Sequence, residues 1–72
     1  MTIKGTVKFQ NLEGGFWGIV DENGVNYRPV NMPEQLKLEG ANIQVLAIKD
    51  DQMSFIMWGD PIKIISFSTL NP

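Results

Sequence analysis

The sequence predicts an all-β protein, a small antiparallel barrel of five or six strands with one short helix. Three observations lead there. Apolar and polar residues alternate with period two in several separate segments, the mark of half-buried strands. Only one segment carries capped helical signals, and that is too little helix for the crossovers a parallel sheet needs. The 72 residues show no internal repeat and no linker, and 43% of them are hydrophobic, which suits one packed domain rather than a disordered chain.

The elements follow in order. From Ile3 to Phe9 the odd residues Ile3, Gly5, Val7 and Phe9 alternate with Lys4, Thr6 and Lys8, so one face turns inward. Asn11 to Gly15 reads as a connection and Phe16 to Asp21 as a second strand. Asn23-Gly24, between Ile19-Val20 and Val25 to Tyr27, is a type I′ hairpin signal, because such turns need positive φ at both central residues. Pro29 and Pro33 then interrupt the strand pattern. Asn31, followed three residues later by Glu34, has the spacing of a capping box. That predicts one or two helical turns from about Pro33 to Leu38, with Gly40 suited to the left-handed position beyond. Ile43 to Lys49 is apolar on both faces, as a central strand would be. Asp50-Asp51 turns the chain into a strand from Met53 to Trp58, and Gly59-Asp60-Pro61 breaks the pattern before Ile62 to Phe67 resumes it. Those last two segments are either one strand with a bulge or two strands around a tight turn. With a helix between strands three and four, the order is that of an OB-type barrel, and the break at Gly59 to Pro61 keeps an SH3-like barrel as the alternative.

Histidine and cysteine are both absent. The usual general base, the best thiol nucleophile and thiolate metal sites are therefore missing, which points away from an enzyme. Asp50, Asp51 and Asp60 lie in predicted turns, where aspartates favour the turn itself, and they lack the spacing of a calcium loop. Gly14-Gly15 is not followed by Lys-Ser/Thr or by a helix, so it is no phosphate loop. No cofactor or metal is expected. Eight acidic against six basic residues give a net charge of -2, which argues against nucleic acid and anionic lipid as general partners. No signal-peptide core or apolar run of membrane-spanning length appears, so the expected location is the cytoplasm.

The aromatic residues Phe9, Phe16, Trp17, Tyr27, Phe55, Trp58 and Phe67 either form a stacking platform or fill the core. Phe16 and Trp17 are neighbours and must point to opposite faces, so one of them lies outside. Gly5-Thr6-Val7-Lys8-Phe9-Gln10-Asn11, followed by Glu13, Gly15-Phe16 and Ile19, resembles the opening of a cold-shock domain, an OB barrel that binds nucleic acid. The resemblance implies a stacking surface that includes Lys8, Phe9 and Phe16, with Phe16 outward and Trp17 inward. It breaks where Trp17 and Gly18 replace the family's glycine and second aromatic, and where Asn26-Tyr27-Arg28-Pro29 replaces its third-strand motif. The wider pattern of Glu13 to Gly18, Tyr27-x-Pro29, Asn31-x-Pro33-Glu34 and Met57-Trp58-Gly59-x-Pro61 is similar to a group of small uncharacterised prokaryotic proteins.

Two binding readings follow. The first is a non-catalytic protein-binding or accessory module. Ile62 and Ile64 share one parity and Ile65 and Phe67 the other, so an outward Ile65 and Phe67 on a terminal strand offer a place for a protein partner or a second copy. The second is binding of single-stranded nucleic acid or oligosaccharide on the sheet face near Lys8, Phe9, Phe16, Tyr27 and Arg28. Sugar survives the charge objection better than phosphate does.

Overall fold

A computed structural model describes residues 1–51 and 56–69. Five strands, β1 (Thr2–Gln10), β2 (Phe16–Asp21), β3 (Asn26–Pro29), β4 (Asn42–Lys49) and β5 (Asp60–Thr69), close into a barrel in the order β1-β2-β3-β5-β4. A single 3-10 turn, Glu34–Leu36, connects β3 to β4. All-β architecture and a short helical turn between the third and fourth strands are as the sequence predicts.

β1 is long enough to pair at both ends. Its first half runs antiparallel to β4, with Ile3 opposite Val45, and its second half antiparallel to β2, with Val7 opposite Ile19. The interior is lined by the alternate residues Ile3, Val7, Ile19, Ile43, Val45, Ala47, Ile62 and Ile64, joined by Leu36 from the 3-10 turn and Ala41. Trp17, Tyr27 and Met32 pack against this cluster. Gly5 sits close against the β2 backbone. A Cβ there would lie 2.5 Å from the Val20 carbonyl oxygen, so no larger residue fits without moving backbone.

Four expectations need correction. The barrel is not wholly antiparallel, since β3 and β5 pair parallel, with Tyr27, Arg28 and Pro29 opposite Asp60, Pro61 and Ile62. The intervening chain, including β4, is long enough for the crossover that a parallel pair needs. The β2–β3 hairpin is not type I′, because Gly24 has positive φ and Asn23 does not. Instead the Asp21 carboxylate accepts from the Asn23 and Val25 amides at 2.9 Å each, and the Gly24 amide donates to the Asp21 carbonyl. A three-residue loop ending in a left-handed glycine is the result.

The helical segment is shorter than Pro33 to Leu38, and Asn31 does not cap it. Pro33 holds the N-cap position with no side-chain hydrogen bond. Gly40 is left-handed, but it lies in the turn into β4, where its amide donates to the Val7 carbonyl. Lastly, the expected strand from Met53 to Trp58 falls partly outside the described residues, and 56–58 are not strand. β5 starts at Asp60, directly after the left-handed Gly59. It runs as one strand whose bulge lies at Ile65, opposite Leu46 and Ala47, rather than near Pro61.

Asn31 closes the seam that backbone pairing leaves unfinished. After the Val30 amide donates to the Ile62 carbonyl, the Asn31 side chain takes over the role of a strand. Its amide nitrogen donates to the Ile64 carbonyl at 3.0 Å and its oxygen accepts from the Ile64 amide at 2.8 Å. Both backbone groups of a buried residue are thereby satisfied.

Candidate binding surfaces

The proposed sheet-face residues separate across the wall of the barrel. Val7 and Ile19 point inward, so by alternation Lys8, Phe16, Gly18 and Arg28 lie on the outer face while Phe9, Trp17 and Tyr27 share the inner parity. Phe9 nonetheless lies half-exposed at the barrel mouth, its ring over Gly15 and edge-on to Trp17 at 5.1 Å. Tyr27 packs on the core.

The outer face acquires a member that strand alternation could not assign. The Trp58 indole lies on Gly18, where a Cβ would collide with the ring, and its centroid is 5.5 Å from that of Phe16. Glycine in the middle of a strand marks such close approaches, and Gly18 is the only trace of this one in the sequence. In the β1–β2 register Lys8 is opposite Gly18 and Gln10 opposite Phe16. The surface is therefore two tilted rings with one exposed lysine beside them.

Arg28 does not add a free cation to that surface. It is only 7% exposed, and among the described residues its Nε has no hydrogen-bond partner. A buried donor left in this way is destabilising, since its desolvation is uncompensated. The Asp50 Oδ2 atom is a buried acceptor in the same condition. Both groups flank Pro61, which is opposite Arg28 in the β3–β5 register and accepts from the Asp50 amide at 3.0 Å. Among the described residues the single ion pair is the exposed Lys37–Glu34 contact at 2.7 Å, so Arg28 and Asp50 remain separate.

Charge is sorted along the chain. The eight acidic residues lie in loops, in the 3-10 turn or at strand ends, whereas Lys4, Lys8, Arg28 and Lys63 lie within strands. Asp50, Asp51 and Asp60 line a shallow groove with Lys49 and Pro61. Among the described residues no cluster of His, Cys, Asp and Glu could hold a metal ion.

The second surface lies on β4 and β5, where Leu46 is 46% exposed, Ile48 52%, Ile65 55% and Phe67 40%. Ile65 and Phe67 do not share a face as simple alternation predicts, because the bulge at Ile65 shifts the phase and sets Phe67 opposite the inward Val45. Leu46 is opposite Ser66 and Ile48 opposite Lys63, so Leu46, Ile48 and Ile65 form a neighbouring apolar group on this wall. Among the described residues one edge of β5 is also open. Past Ile64, no hydrogen bond among them joins residues 65–69 to anything except β4. Ile65 and Phe67 thus lie on a strand that is fully paired at its start and paired on one side at its end. Neither protein-family models, nor curated proteins, nor solved structures yield a match to this chain. Among the described residues no helix is long and apolar enough to cross a membrane.

Proposed function

We propose that this protein is a non-catalytic protein-binding module of the cytoplasm that receives an extended partner segment along the open edge of β5. The observation that carries the reading is the coincidence of unpaired strand edge and exposed apolar side chains at Ile65 and Phe67. Open edges are templates for strand addition. In such complexes main-chain hydrogen bonds give affinity and alternate side chains give specificity. Natural edges are usually protected by lysine, proline or a covering element, and Ile65-Ser66-Phe67-Ser68-Thr69 contains no charge and no proline. The lack of histidine and cysteine supports the non-catalytic part of the reading.

Site-specific photo-crosslinking tests it. A crosslinker at position 65 or 67 should trap a protein in cells, and one at position 23, in the β2–β3 loop, should not. Equal labelling at all three positions, or none at 65 and 67, would count against the edge as the binding site.

A second reading is favoured by the Phe16–Trp58 pair on the outer face of β2. Two rings beside a lysine suit a planar base or a sugar ring, with stacking as the main attraction. Lys8 is the one exposed cation in that row, so phosphate contributes little and a salt slope of about 1 is the most it supports. Quenching of Trp58 by an oligosaccharide or a short single-stranded oligonucleotide, abolished by Phe16→Ala, is the expected signature.

A further inference from the structure

We infer that the strand received at the open edge is β5 of a second copy of this chain, paired antiparallel about a two-fold axis at Phe67. The inference rests on the strand-addition reading and names its occupant. Three features of the edge fit a copy of itself.

The first is backbone phase. Ile64 turns its amide and carbonyl away from β4, toward Asn31. Ile65 is the extra residue of the bulge, so Ser66 then faces Leu46 and Phe67 faces Val45. Alternation from that point directs the backbone groups of Ser66 and Ser68 to β4, and those of Phe67 and Thr69 to the open edge. A two-fold axis through Phe67 makes it a mutually hydrogen-bonded pair with its own symmetry mate, and Thr69 falls opposite Ile65.

The second is side-chain pairing. Phe67 meets Phe67 and Ser66 meets Ser68, an aromatic pair and a hydroxyl pair of the kinds that stabilise neighbouring strands. Phe67 is 40% exposed in the single chain and has surface left to bury.

The third is charge. The paired segment is neutral, and the nearest charged residue of β5 is Lys63. In this register the two copies of Lys63 lie eight positions apart along the ladder, roughly 26 Å at strand spacing. That is well beyond a screening length of about 8 to 10 Å at ordinary salt, so like charges do not oppose the pairing. A short five-residue contact buries less than the roughly 1,200 Å² of a standard interface, which makes the dimer a weak one, dissociating between about 10 µM and 1 mM.

Sedimentation equilibrium across that range tests the proposal, with two variants that act on different parts of the edge. Phe67→Lys sets two cations against each other at the axis. Thr69→Pro removes an amide of the open edge while leaving the β4 ladder intact. Amide spectra check that both variants remain folded. The expected result is a mass that rises toward two copies for the natural sequence and a dissociation constant at least about tenfold higher for each variant. A dimer that both variants leave unchanged overturns the proposal, because association then uses another surface. A monomer at 1 mM with rapidly exchanging amides at Phe67 and Thr69 overturns the second copy but leaves the open edge available to a different strand. A monomer with those amides protected overturns the strand-addition reading as well.

Discussion

The first and second halves of β5 have similar residues and opposite fates. Ile62 and Ile64 are buried between β4 and the β3 seam, whereas Ile65, one residue further, is more than half exposed. Isoleucine content does not distinguish them. Parity sets their side chains apart, since Ile62 and Ile64 point inward and Ile65 outward, and their backbones differ because the parallel seam ends between them, closed by one side chain. β3 stops at Pro29, Val30 adds one backbone hydrogen bond, and Asn31 supplies the last two through its amide. A closed barrel can thus retain an open edge wherever a strand outlasts its neighbour.

The largest expected effect that separates the halves is on stability. Ile62→Ala removes a fully buried side chain and should destabilise the fold by about 2 to 5 kcal/mol. Ile65→Ala should change it by no more than about 0.5 kcal/mol, as is usual for surface positions. Urea unfolding of the two variants makes the comparison, and similar losses would show that Ile65 belongs to the core.

A middle-sized effect concerns the seam. Asn31→Ala strands the amide and carbonyl of Ile64 and should cost about 1 to 3 kcal/mol, the penalty for unsatisfied buried groups. For a domain of this size that lowers the melting temperature by roughly 4 to 8 °C per kcal/mol. Asn31→Asp keeps the acceptor and loses the donor, so its melting temperature should fall between the other two. An Asn31→Ala protein that melts like the natural one would mean that the seam is held elsewhere.

The smallest effect lies on the outer face of β2. Gly18→Ala should displace the Trp58 indole and shift its fluorescence, at a cost of about 1 kcal/mol or less if the ring swings clear. Unchanged emission would mean that the indole does not depend on the bare backbone beneath it.

Much of this architecture was legible in the chain. Period-two alternation located β1, β2 and β4, and parity separated Phe16 from Trp17 and Ile64 from Ile65. These are local consequences of the pleat. The parts that were hidden depend on which strands meet. The β3–β5 pairing is parallel and distant in sequence, and Asn31 looked like a cap because capping and ladder mimicry use the same side-chain amide. Trp58 could not be assigned to Gly18 because the loop path that brings it there leaves no periodic signal. Counting charges over the whole chain also concealed how they are sorted. Acidic residues sit at turns and strand ends, which their side chains favour, and four of the six cations sit within strands.

Residue-resolved amide exchange along β5, in dilute protein, tests the account most directly. The Ile64 amide, bonded to the Asn31 side chain, should exchange as slowly as the core of β4, and the Phe67 amide should exchange orders of magnitude faster. Equal protection of Ile64 and Phe67 in a monomer would contradict the claim that the strand is closed up to Asn31's reach and open beyond it.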